Sequence, residues 1–181
     1  MTTSNIRQLK CCGHHLFRVL AILCALLLLV GCQTSSSAPA VGPKTADVVI
    51  NGETITCELA IDNEARSKGM SGREEFPAGG GLLFVFPKPA IQSFWMYDCK
   101  VDIDVIFLDS LGYVTATHEM TTQPRRDGES EQAYRQRLTN YTSRFPAHFA
   151  IELPAGSIDR LDVQVEDRVK LDRKRLKAMA E

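Results

Sequence analysis

Short apolar runs, each closed off by glycine, proline or a turn pair, recur from residue 46 to residue 154. "ADVVI" and "TITCELAI" flank Asn51-Gly52, a pair suited to a two-residue hairpin because both central residues of that turn take positive φ. Along the second run Ile55, Cys57, Leu59 and Ile61 form the inward set. "LLFVF" sits between "PAGGG" and "PKP". "QSFWMY", "DVIFLD", "YVTATHEM" and "HFAIEL" follow as further strands, with Ser110-Leu111-Gly112 joining the second to the third. Helical signals are few. Asp62 is placed to cap a short helix through "NEARSKGM" that ends near Gly69, and the polar insertion "RRDGESEQAYRQRLTNY" carries Glu131 and Arg135 four apart. The pattern predicts a mainly β (α+β) single domain, a small β-barrel or sandwich with short helices inserted.

The N-terminus has a separate logic. Arg7, Lys10 and Arg18 precede the apolar run Val19 to Val30, and "LVGC" closes it at Cys32. This is the three-part pattern of an export signal, and the run is too short to span a bilayer comfortably. "LVGC" resembles a bacterial lipobox, which implies cleavage before Cys32, lipidation of its thiol and a durable membrane anchor once two acyl chains are present. Gln33 after the anchor resembles the pattern of outer-membrane retention in two-membrane envelopes. The expected organisation is a signal peptide over 1–31, a lipidated flexible tether over 32–45, a β-rich domain over 46–172 and a basic tail over 173–181. "QTSSSAPAVGPKTA" is rich in Ser, Pro, Ala and Gly, with an end-to-end distance of about 20 Å, which holds the domain just clear of the headgroups.

Charge narrows the partners. The signal carries three of the 21 Lys and Arg and none of the 22 Asp and Glu, leaving 18 basic against 22 acidic groups and a net charge of −4. That balance offers no counterion-release drive toward nucleic acid. "DRKRLK" from Asp172 reads as a solvated helix end or as a contact for anionic lipid or wall polymer. Cys11, Cys12 and Cys24 leave with the signal, so Cys57 and Cys99 remain. Cys57 reads as a small core residue and Cys99 lies near a turn; a disulfide between them is the alternative.

The candidate site centres on "SFWMYDCKVDIDVIFLD". Asp102 and Asp104 are two apart and share a face, with Cα atoms about 6.5 Å apart. Beyond Asp104 both faces turn apolar, so its carboxylate enters the interior and needs a partner: Arg73, Lys100 or backbone N–H groups. One reading makes Asp104 a structural ion pair with Arg73, or a turn cap. The other has Asp98, Asp102 and Asp104 rim a pocket floored by Trp95 and Met96, with Tyr141 near its mouth. There, clustered carboxylates raise one another's pKa and a pair at glycosidase spacing would hydrolyse glycans. Trp95 reads as a core residue, with a ligand platform as the alternative.

Other chemistries lack their parts. "GMSGR" departs from a nucleophile elbow by the position of its second glycine. His118-Glu119 lacks the second histidine of a zinc protease helix, and His148 opens an apolar strand. The aspartates lack a calcium loop's central Gly and terminal Glu, and "GGG" precedes a strand rather than a phosphate-binding helix. No metal or other cofactor is expected.

"KGMSGREEFPAGGGLLFVFP", "SFWMYDCKVDIDVIFLD", "YTSRFPAHFAIELPAG" and "VEDRV" resemble, in order and spacing, the family known as domain of unknown function 192, over about Thr54 to Val169. The resemblance implies a small exported β-barrel with short helices and no assigned activity. Its usual features fall on Gly69, Arg73, Phe84, Trp95, Met96, Asp104, Phe107, Asp109, Tyr141, Pro146, Glu152, Gly156 and Asp167. The chain departs from the pattern at Met70-Ser71, Asp98-Cys99, Asp102 and Glu166, and the changes at 98 and 102 add negative charge beside Asp104.

Together these features predict a lipid-anchored envelope protein facing the periplasm or exterior. Its domain is expected to bind a small polar ligand, a wall fragment or a protein partner through Arg73, Trp95, Met96, Asp104 and Tyr141. The alternative is a carboxylate-dependent hydrolase of envelope glycans that uses Asp104, Asp102 and Asp98.

Overall fold

The computed structural model describes residues 44–78 and 80–180. β1 (Thr45–Ile50) and β2 (Glu53–Ala60) pair antiparallel with Ile50 opposite Glu53, so Asn51 and Gly52 alone make the turn, at φ 45° and 91°. Both angles lie in the left-handed region that Asn and Gly enter most readily. α1 (Asn63–Lys68) starts where the Ala65 N–H donates to the Asp62 carboxylate at 2.8 Å and ends at Gly69. β3 (Gly80–Ala90) then runs parallel to β2. Next come β4 (Ser93–Phe94), β5 (Ile103–Leu108), β6 (Val114–Met120) and α2 (Glu131–Arg137). The chain finishes with β7 (Tyr141–Thr142), β8 (Ala147–Pro154), α3 (Ser157–Arg160) and α4 (Arg173–Met179).

Six strands form one mixed sheet in the order β1-β2-β3-β8-β5-β6, and β4 pairs with β7 in a separate ribbon. The mainly β architecture with short helices is as expected, but the sheet does not close into a barrel. Its two edges are instead joined by the chain at 166–170. Val49 and Lys170 exchange backbone hydrogen bonds of 2.8 and 2.9 Å, while Val169 N–H donates to Gly112 and Glu166 N–H to Val114, each at 2.9 Å.

Each sheet face carries its own apolar cluster, because side chains alternate along a strand. Ile106, Leu108, Phe149, Ile151 and Leu153 face a cluster completed by Cys57, Val163, Val169 and Leu176. Leu82, Phe84, Val105, Phe107 and Ala150 face the other, covered by Met70, Met96 and partly buried Phe94 and Cys99. Cys57 and Cys99 are free thiols that belong to opposite clusters, with the sheet between them.

Three expectations are corrected here. "QSFWMY" yields only the two-residue β4, since the chain turns through Asp98 at φ 52°. The insertion is helical only over α2, whose one buried residue is Tyr134. The stretch from 173, set apart as a basic tail and read as a solvated helix end, is indeed a helix, α4, but it packs on the domain: Asp172 caps it, and Leu176 is 1% exposed in the core. No helix among the described residues is long and apolar enough to cross a membrane. The Val19 to Val30 run, Cys32 and the tether as far as residue 43 lie outside the described residues, and Thr45, counted with the tether, begins β1.

Candidate functional site

The register of β5 against β8 decides which carboxyls can share a pocket. Directly paired residues of an antiparallel ladder point to the same face. Asp104 lies opposite Leu153, whereas Val105 lies opposite Glu152. Asp104 therefore faces the Leu153 cluster, and Glu152 faces the Phe84 and Met96 cluster. Asp104 is 1% exposed; its Oδ2 accepts from the Ile158 N–H of α3 at 2.8 Å, and its Oδ1 has no hydrogen-bond partner. It acts as a turn cap, with a backbone N–H as partner.

Arg73 is engaged elsewhere. Its guanidinium donates to both Glu58 oxygens, at 2.6 and 3.1 Å, and holds the Glu58 carboxyl below its ordinary range. Asp98 is exposed and pairs with Lys100 at 2.6 Å, while exposed Asp102 accepts from the Thr122 N–H at 2.7 Å. Met96 is fully buried. Tyr141 packs against His118, ring centroids 5.6 Å apart. The three aspartates thus rim no common pocket, and of the residues anticipated from sequence Trp95 is the one that lines the main groove. Among the described residues, no three His, Cys, Asp or Glu side chains gather as a metal site.

The main groove, about 620 Å³, lies between α1 with the turn after it and the chain from the end of β3 through β4. That volume suits a small molecule. Phe84, Phe86, Phe94 and Trp95 supply aromatic surface, with the Phe84 and Phe94 rings edge to face at 4.9 Å. Trp95 is 43% exposed and lies under the Arg135 guanidinium. Arg135 also covers Tyr97 at 4.3 Å, so α2 braces this wall.

Glu152 lies at the floor. It is 5% exposed, and its Oε2 has no hydrogen-bond partner. Burial raises its pKa from 4.5 to about 8, against the opposing pull of Arg73, so the carboxyl is protonated at neutral pH. Gly69 leaves room beside it: a Cβ there would stand 3.5 Å from Oε2 and 3.2 Å from the Phe84 ring. At φ 47°, ψ −129° the backbone is also one that L side chains avoid. Cys99 lines the same groove, and burial, with Glu152 and Asp98 adding to it, pushes its thiol to about 12. It is a protonated, poorly nucleophilic thiol.

The family resemblance names Glu152 among its usual features, but sequence reasoning assigned neither Glu152 nor Cys99 to a site. The available signal was a lone carboxyl inside "HFAIEL", flanked by Ile151 and Leu153 in an otherwise apolar run that follows His148. Among the described residues lining the groove, Glu152 is the one acid, and Arg66, Lys68 and Lys88 are the bases. The groove can therefore offer hydrogen bonds and aromatic surface to a small molecule, but it lacks the second carboxyl of a glycosidase pair.

A crystal structure from Sinorhizobium meliloti, provisionally described as a transcription regulator, is 27% identical to this chain and superposes with a TM-score of 0.60, covering 74% of this chain and 98% of that one. A protein of unknown function from Novosphingobium aromaticivorans shares the fold at 20% identity and a TM-score of 0.58, covering 73% and 89%. No curated protein matches the chain. Residues 46–171 match the DUF192 model, described as Uncharacterized ACR, and on that match the chain belongs to the DUF192 family.

Proposed function

We propose that this is a non-catalytic binding domain whose α1–β4 groove takes up a small ligand at the surface of a membrane. The observation that carries the reading is Glu152: a buried carboxyl with an unpartnered oxygen at the floor of an aromatic groove, where burial favours its protonated form. An unpaired buried polar group costs about 1–3 kcal/mol, and a ligand that satisfies it recovers that cost. The "LVGC" motif supports attachment through a lipidated Cys32, with the domain in the envelope facing the periplasm or exterior. The competing reading, a hydrolase of envelope glycans, requires two carboxyls across one substrate.

Trp95 is the chain's one tryptophan and lines the groove, so its emission reports occupancy. Titrating a fragment library into the purified protein is expected to shift that emission for aromatic fragments bearing a hydrogen-bonding group. A folded protein whose emission no fragment moves at millimolar concentration refutes the reading. Labelling cells with an alkyne fatty acid tests the anchor: the full chain is expected to take up label and Cys32→Ala to lose it.

A further inference from the structure

The charges around the groove narrow the ligand, on the footing that the groove binds one at all. Glu152 is faced from β3 and β5 by apolar Leu82 and Val105, its register partners. The polar groups near it are the Cys99 thiol and the Arg73 guanidinium, which Glu58 holds. Arg66 is tied back, donating to the Ile61 and Val85 carbonyls at 2.6 and 3.0 Å and to Asn63 Oδ1. Lys68 and Lys88 are exposed on the lining and make no ion pair among the described residues.

The groove thus presents two cations and a hydrogen-bond donor to its occupant, and no anion. A cationic ligand would meet repulsion and find no acceptor carboxylate at neutral pH. A neutral ligand would leave Lys88 without a counter-charge and Lys68 with only the field of Glu58, with which it forms no ion pair. An anion uses everything present: aromatic surface for its body, lysines for its charge, and a carboxyl O–H for its acceptor oxygen. Hydrogen bonds from O–H to a carboxylate are among the strong ones, and two carboxyls held together keep one proton between them.

We infer that the groove binds a small carboxylate with an aromatic body, its carboxylate accepting the Glu152 O–H while Lys68 and Lys88 neutralise its charge. The proton stays on the carboxyl pair, and no bond is made or broken. Loss of that proton removes the donor and sets two like charges together, so binding weakens on the alkaline side.

The test uses three probes of one shape, phenylacetate, phenylacetamide and phenethylamine, titrated into the full protein with Trp95 emission as readout. At pH 6.5 phenylacetate is expected to bind at least about tenfold tighter than phenethylamine. Its affinity should fall about tenfold between pH 7 and pH 9, one proton being linked to binding. Lys68→Gln with Lys88→Gln should weaken phenylacetate roughly three- to tenfold and leave phenylacetamide unchanged. Glu152→Gln should abolish the pH dependence. Should that variant misfold, the wild-type pH profile and the lysine pair still decide. Tightest binding of the amine, or of the amide at every pH, overturns the carboxylate inference and leaves groove binding intact. Silence from all three probes overturns it as well, and groove binding then survives only if the fragment library gives hits.

Discussion

Replacing Glu152 by Gln exchanges a protonated carboxyl for an amide of nearly the same shape and removes its ionisation. In the unfolded chain the carboxyl titrates near 4.5; in the fold it titrates at about 8. Between those values the folded state binds more proton than the unfolded state, so the wild type loses stability as pH rises and regains it on acidification. Each pH unit in that window is worth about 1.4 kcal/mol, so the whole window amounts to roughly 5 kcal/mol. Between pH 5.5 and pH 8.5 the loss is about 3 to 4 kcal/mol. The variant has no such term and should be level with the wild type, within about 1 kcal/mol, at pH 5 and more stable than it above pH 8. Urea unfolding followed by far-UV circular dichroism reads this as a midpoint separation of about 1.5–2 M that opens with alkalinity. His148, whose pKa burial lowers, contributes equally to both curves and cancels in their difference. Parallel curves for the two proteins would refute the reasoning, because they would mean that Glu152 is charged in the fold or titrates as it does unfolded.

Removing Arg73 takes away the charge that pulls Glu152 downward, so in the same urea series Arg73→Ala should keep the onset of the stability loss and extend its upper end to still higher pH. Asp104→Ala should cost about 1–3 kcal/mol by leaving the Ile158 N–H unpaired, yet keep phenylacetate affinity within about twofold, since Asp104 faces the other cluster. Gly69→Ala places a methyl 3.2 Å from Phe84 at a backbone angle suited to Gly; a loss of about 1–3 kcal/mol is expected in unfolding, together with weaker probe binding. Peptide mapping after brief native alkylation should find Cys57 unmodified and Cys99 slow, with both reacting at once in urea, as thiols near pKa 12 require.

Much of the fold could be read locally. Asn51-Gly52 specified its hairpin, Asp62 its helix cap and the alternation of Ile55, Cys57 and Leu59 a buried face, because each depends on neighbours a few residues away. The position of Asp104 at the entry to the interior was equally legible, and so was its choice between a cap and a pocket. The site was harder to see. Asp104 and Glu152 fall on opposite faces through a register set between strands far apart in sequence, and a shift of one residue would exchange them. Trp95, an aromatic beside Phe94 and Met96, reads as core until β4 is found to be two residues long and the ring is left on the groove. Glu152 is hidden by apolar residues on either side, although its isolation there was itself the clue.

The segment at 166–170 has a further consequence during synthesis. Until it leaves the ribosome, β1 and β6 both present backbone groups able to recruit a neighbouring chain, and the side chains destined for Val169 and Leu176 remain wet. The nascent protein therefore has to resist self-association through most of its translation and is quieted in one late step. A chain stopped before residue 166 would be not a slightly weaker domain but a stickier one, with the backbone of Val49 and Val114 open to a neighbour.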